Sequence, residues 1–224
     1  MTLVAAGKGL LSLLYPRRAV CMGCESQAGC SQDWLCEECR AMLPGLWLGA
    51  DALPEASGFV AAAFAYRYAG PVKGVVRRLK YGGVRKLAEP MGADMARAYR
   101  AILPTRADAI VAVPMHRRRL RKRGFNHAEL LAREVGARLD LPVIHALRRT
   151  RNTRQQARLS RRERLRNLDG AFACDDSVKG KRILLVDDVC TTGTTAAGCA
   201  RALLDADAAA VYLLCYARAE SPGK

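Results

Sequence analysis

Ile183-Leu-Leu-Val-Asp-Asp-Val-Cys-Thr-Thr-Gly-Thr-Thr195 is the stretch on which the fold turns. Its apolar run, Ile183 to Val186, has the pattern of a strand covered on both faces, as in a parallel sheet flanked by helices. The run then meets two aspartates and a threonine-glycine loop that opens a helical stretch, Ala196 to Leu204. Ligands of open α/β sheets lie at the carboxyl ends of strands, so Asp187 and Asp188 stand where a substrate would be. Adjacent carboxylates accept hydrogen bonds from a vicinal diol. Thr191, Thr192, Gly193, Thr194 and Thr195 offer backbone amides and hydroxyls at a helix N-terminus, where the dipole and unpaired N–H groups favour a phosphate. A turn with acidic and threonine caps accounts for one or two of these residues but not the set. Neither G-x-x-x-x-G-K-[ST] nor G-x-G-x-x-G is present, which removes the common nucleotide-binding loops.

On either side of this segment, further short apolar runs recur at intervals. Ala109 to Val113, Leu141 to Ile144 and Ala210 to Tyr216 read as buried strands, with a helical stretch at Ala128 to Leu139. Phe59 to Tyr68 reads as a β-like run ahead of two helical patterns, Val72 to Lys80 and Arg85 to Ala101. The alternation predicts an α/β fold with a parallel sheet flanked by helices. At 224 residues the chain suits one such domain plus a small appendage unable to bury a core unaided. Residues 1–44 are expected to form that appendage, an N-terminal helix with a cysteine module; 45–58 read as a linker and 59–224 as the α/β domain.

Five of the nine cysteines fall between positions 21 and 39. Cys21-x-x-Cys24 and Cys36-x-x-Cys39 have the spacing of a structural four-cysteine zinc site, whose full ligand shell leaves no open position for substrate. A disulfide pair or a redox C-x-x-C would use the same residues, but two pairs so close favour a metal. Cys30 is left over. Cys174, Cys190, Cys199 and Cys215 lie in apolar or helical contexts and read as core.

Net charge is +16, and residues 116–166 hold most of the excess, with 17 basic and 4 acidic side chains. A concentration of arginine suits a polyanion, whether nucleic acid or a phosphorylated small molecule; a solvated helix face is the plainer alternative. Arg117-Arg-Arg-Leu-Arg-Lys-Arg123 reads as an electropositive loop, and Arg161 to Arg166 has helical spacing that could line a groove. Arg117, Arg118, Arg119, Arg121, Lys122, Arg123, Arg161 and Arg162 are the candidates for nucleic-acid contact. Only Phe125 among them is aromatic, so base stacking looks poorly provided for. No apolar run approaches the roughly 20 residues of a membrane-spanning helix, and the Leu3 to Leu14 stretch makes a poor secretory signal. A cytoplasmic protein without membrane insertion is expected.

Residues 183–195 resemble the phosphoribosyl-pyrophosphate signature of type I phosphoribosyltransferases. The wider chain is similar to the ComF family of competence-associated proteins through its cysteine module and Leu79-Lys-Tyr-Gly-Gly83, Val113-Pro-Met-His-Arg117, Arg123-Gly-Phe-Asn-His-Ala128, Gln155 to Leu159 and Arg164 to Asn167. The resemblance implies a type I phosphoribosyltransferase-like sheet with a small zinc module. It implies ribose hydroxyls on Asp187 and Asp188, the 5′-phosphate on Thr191 to Thr195, and pyrophosphate on Pro114, Met115, His116 and Arg117. Mg2+ would bridge pyrophosphate and ribose. Lys80 reads as a surface cation, His116 as the histidine nearest the site, and His127 and His145 as loop or core residues.

Two functions follow. One is binding of phosphoribosyl pyrophosphate together with single-stranded DNA during DNA uptake, with uptake helicase or channel proteins as candidate partners. The other is phosphoribosyl transfer to a nitrogen acceptor. Whether the transfer chemistry survives, which acceptor it would use and whether the chain dimerises stay open at the level of sequence.

Overall fold

The computed structural model describes residues 20–26, 34–50, 58–103, 107–150 and 170–219. Helix α1 (Glu37–Leu46) leads into strand β1 (Trp47–Ala50), and β2 (Ala61–Arg67) into α2 (Gly70–Tyr81). A 3-10 turn, Arg85–Leu87, opens α3 (Ala88–Ile102). Then come β3 (Ala109–Ala112), α4 (Arg117–Arg123), α5 (His127–Leu139), β4 (Val143–Ile144) and a hairpin of β5 (Leu147–Arg149) with β6 (Phe172–Cys174). The chain finishes with β7 (Arg182–Cys190), α6 (Thr194–Asp205) and β8 (Ala210–Arg218).

The main sheet has the order β1-β2-β8-β7-β3-β4, with only β1 antiparallel to its neighbour. The predicted α/β architecture is therefore present, with two local differences. Within the stretch read as a linker, Trp47–Ala50 is an edge strand on β2, anchored by Trp47 packing edge-on to Tyr66 with centroids 5.4 Å apart. And β7 does not stop at the aspartates. Because β8 runs beside it through Arg218, Asp187 stays opposite Cys215 and Val189 opposite Ala217.

Alternation along the strands divides the core into two faces. Leu184, Val186, Tyr212 and Leu214 face α2, α3 and α5, whereas Ile183, Leu185, Val211 and Leu213 face α6 and the β5–β6 hairpin. Cys190, Cys199 and Cys215 are buried and Cys174 partly so.

The first face also takes in the cysteine module, for Cys21, Leu35, Cys36 and Cys39 join the cluster containing Val72, Val75 and Val76 of α2. The contact is close enough to demand glycine: a Cβ on Gly74 would lie 1.9 Å from the Gly23 carbonyl oxygen. Gly74→Ala should therefore cost about 3 kcal/mol through overpacking, read as a lower thermal midpoint. Gly45→Ala, with open space around it, should show no such drop.

Candidate functional site

β3 turns outward to β4 whereas β7 turns the opposite way to β8, so the topological switch point lies between the carboxyl ends of β3 and β7. That is where doubly wound sheets bind ligands, and a cavity of about 290 Å³ opens there. Asp187, Asp188 and the whole Thr191 to Thr195 loop line it, together with Pro114 and Met115 from the far side.

The acid pair owes its setting to the backbone. Asp187 Oδ1 accepts from the Asp188 N–H at 2.8 Å, and Asp188 Oδ1 from the Val189 N–H at 2.7 Å. Asp188 is 1% exposed. Burial, and then the neighbouring Asp188 carboxylate, raise the Asp187 carboxyl well above the usual range against the pull of Lys80. Gly193, at φ +73°, takes the left-handed conformation that lets the loop enter α6. Thr192 and Thr194 share a hydroxyl hydrogen bond of 2.7 Å. From below, Arg218 Nη1 donates to the Thr191 carbonyl at 3.3 Å and to Cys190 Sγ at 3.0 Å, tying the loop to the end of β8.

The structure adds residues that the sequence reading passed over. Lys80, read as a surface cation, sits at the end of α2 with Nζ 2.8 Å from Asp188 Oδ2 and its side chain 22% exposed. Burial opposes its charge, but Asp188 and Asp187 outweigh it and hold the ammonium above its usual value. His127, read as loop or core, places Nε2 3.3 Å from the same oxygen. Arg123 Nη1 lies 2.9 Å from His127 Nδ1; a guanidinium only donates, so Nδ1 accepts and Nε2–H points to Asp188. Arg119, Arg123 and Arg149 also reach the cavity. A clue to Lys80 and His127 existed in the motifs Leu79 to Gly83 and Arg123 to Ala128, but their meeting requires the sheet between them.

His116 does something else. Its Nδ1 accepts the Arg118 N–H at 3.2 Å and caps α4. The run Arg117 to Arg123 is thus a helix, closed at its far end by Gly124 in the left-handed conformation, where a loop was expected. Arg118, Arg121 and Lys122 lie on its exposed surface, and Arg117 lines an adjoining pocket of about 170 Å³ with Arg148 and His145. Asn126 caps α5 through the Ala128 N–H and donates Nδ2 to the Val113 carbonyl at 3.1 Å, fixing the end of β3. Arg161, Arg162, Gln155 to Leu159, Arg164 to Asn167 and Cys30 lie outside the described residues.

Burial pushes the His127 imidazole down to about 4, with Lys80, Arg123 and Arg119 adding to the shift and Asp188 opposing it. Between that value and about 6.5 the unfolded chain binds the proton and the folded chain does not, so native stability should fall as pH drops through this window. The loss should reach up to about 3 kcal/mol. An NMR titration of the His127 ring should show it neutral at pH 5; a midpoint near 6.5 would refute the burial argument.

The second cluster is sulfur. The Sγ atoms of Cys21, Cys24, Cys36 and Cys39 all lie within 4.8 Å of one another, and Cys24 and Cys36 are 3.7 Å apart. A tetrahedral ion with bonds of about 2.3 Å spaces its sulfur ligands about 3.8 Å apart, so the set fits such an ion. The backbone amides of Gly23 and Cys36 both approach Cys21 Sγ at 3.3 Å. Although burial opposes it, these and the other backbone contacts lower Cys21 to about 6, favouring the thiolate that a metal requires.

Sheet order and the position of the cavity make this a doubly wound α/β domain with a ligand site at the carboxyl ends of β3 and β7. The family model described as "Phosphoribosyl transferase domain" matches residues 96–223. The DNA utilization protein YhgH of Escherichia coli (strain K12) is 36% identical over 156 residues, covering 67% of this chain and 69% of its own. The competence protein ComFC of Bacillus subtilis (strain 168) is 32% identical over 145 residues, 65% of this chain and 58% of its own. Competence protein F of Haemophilus influenzae is 37% identical over 106 residues, 46% and 45% of the two chains. The chain belongs to the phosphoribosyl transferase domain family, in its ComF-like branch.

Proposed function

We propose that this chain binds phosphoribosyl pyrophosphate between β3 and β7 and takes part in DNA uptake through single-stranded DNA. One observation carries the reading: an acid pair, a helix-opening threonine loop and three arginines converge on a single cavity. Asp187 and Asp188 take the ribose hydroxyls, and Thr191 to Thr195 the 5′-phosphate. Pro114 and Met115, with Arg119, Arg123 and Arg149, face the pyrophosphate, whereas His116 caps α4 and Arg117 lines the adjoining pocket. Mg2+ arriving with the diphosphate would find hard oxygen donors in Asp187 and Asp188, which with His127 form a cluster within 4.8 Å; it would neutralise the leaving group's charge. Zinc in the four thiolates would hold the N-terminal module in place.

The names of the relatives, DNA utilization and competence proteins, support a role in DNA handling. So does the charge of residues 116–166, 17 basic against 4 acidic, which suits a phosphate backbone. That role puts the protein in the cytoplasm, with uptake helicase or channel proteins as partners. Among the described residues no helix is long and apolar enough to cross a membrane.

A second reading, active transfer to a nitrogen acceptor, is favoured by Lys80 and His127 gathered on Asp188. The Lys80 ammonium held at this buried site would stabilise charge developing on departing pyrophosphate, with the neutral His127 imidazole as a hydrogen-bond donor beside it. Calorimetric titration of phosphoribosyl pyrophosphate with Mg2+ tests the donor site, and acceptor-dependent pyrophosphate release tests transfer. Absence of binding to the intact protein would leave the loop as scaffold and move the functional weight to the arginines.

A further inference from the structure

Sequence alone offered little to stack a base, since Phe125 is the one aromatic residue inside the arginine-rich stretch. The fold supplies another. Tyr81, at the end of α2, lines the cavity and is 75% exposed, the most exposed large apolar side chain among the described residues. The Arg123 guanidinium lies over its ring at 4.8 Å. Beside this pair the Arg85 guanidinium lies over Phe125 at 4.7 Å. Arg123 and Phe125 flank Gly124, where a Cβ would come within 3.7 Å of Arg85 Nη2, so the two pairs adjoin.

We propose that this rim, Tyr81 with Arg123 and Phe125 with Arg85, receives the bases of a single nucleic-acid strand at the mouth of the cavity. The proposal rests on the single-strand reading above and names the surface that engages it. A strand needs cations for its phosphates and exposed π-faces for its bases, and proteins that bind single strands without sequence preference combine the two. Here the exposed Tyr81 ring and the arginines occur on one edge, with the half-buried Phe125 beside them. The guanidiniums hold the rings by cation–π attraction, while Arg118, Arg121 and Lys122 on exposed α4 continue the positive charge away from the cavity. Duplex DNA keeps its bases stacked inside and offers such a rim only phosphates, so the preference should be for single strands.

The test uses the full chain and a short labelled oligothymidylate, followed by fluorescence anisotropy over a range of salt concentrations. Tyr81→Leu should weaken binding about tenfold, with the salt slope unchanged because no phosphate contact is lost. Tyr81→Phe should retain the affinity, since the ring is kept. An abasic strand should bind the intact protein and Tyr81→Leu alike. Equal affinity of Tyr81→Leu and the intact protein for the base-bearing strand would overturn the rim while leaving single-strand binding in place. Failure of the intact protein to bind the strand at all would overturn both, and the phosphoribosyl pyrophosphate titration would still decide the donor site separately.

Discussion

Asp187→Asn combined with Asp188→Asn is expected to weaken phosphoribosyl pyrophosphate binding at least about a hundredfold, from the loss of the two acid groups that would hold the ribose hydroxyls. The fold should survive the change. Asp187 carries a carboxyl whose folded-state value is raised by burial and by Asp188. As pH rises past the ordinary carboxyl range the unfolded chain gives up this proton while the folded chain keeps it, so the stability present below the unfolded value is lost as pH climbs to the folded one. Asp187→Asn alone should hold or raise the thermal midpoint at neutral pH. Asp188→Asn removes the partner of Lys80 at 2.8 Å and should lower it. Titration calorimetry paired with thermal unfolding separates the effects: lost binding with a retained midpoint assigns the acids to the ligand, and unchanged binding removes them from the site.

Stripping metal from the cysteine module should have the largest effect on stability. Metal binding to such sites is worth about 10–16 kcal/mol in small zinc-finger peptides, where it is folding energy. Four sulfurs gathered within 4.8 Å would repel as thiolates or require protonation without an ion. Because Cys21, Leu35, Cys36 and Cys39 share a core cluster with α2, damage should spread beyond the module. Cys39→Ser, or a strong chelator at neutral pH, is expected to lower the thermal midpoint by more than about 10 °C, far beyond the shift from losing 1 kcal/mol in a domain of this size. Hydrogen exchange should show α2 losing protection along with residues 34–46. A chelator that leaves both measurements unchanged would argue against a bound structural metal.

How far the sequence foretells this molecule depends on the range of the interactions involved. β7 and α6 are legible because a continuous apolar run and a threonine-glycine turn are local signals, and the two C-x-x-C pairs likewise declare themselves by spacing. Lys80 and His127 are not, since each is an ordinary helix-end residue until the sheet brings it against Asp188. The helix Arg117–Arg123 escapes for a different reason: its cap comes from His116, an uncommon capping residue, and its cationic composition has no apolar periodicity to betray a helix. The edge strand Trp47–Ala50 is hidden by its glycine-rich setting and is held by packing against Tyr66.

Within that short cationic helix, Arg117 and Arg121, Arg118 and Lys122, and Arg119 and Arg123 stand four residues apart, and each like-charged pair disfavours the helix by about 0.2–0.5 kcal/mol. It contains no acidic residue and buries no side chain. Its two caps therefore work against its own electrostatics, and any multivalent anion that settles beside it relieves the strain. Counter-ions thus become a structural ingredient at this edge: the same protein in phosphate buffer and in dilute chloride should differ in how firmly α4 is wound.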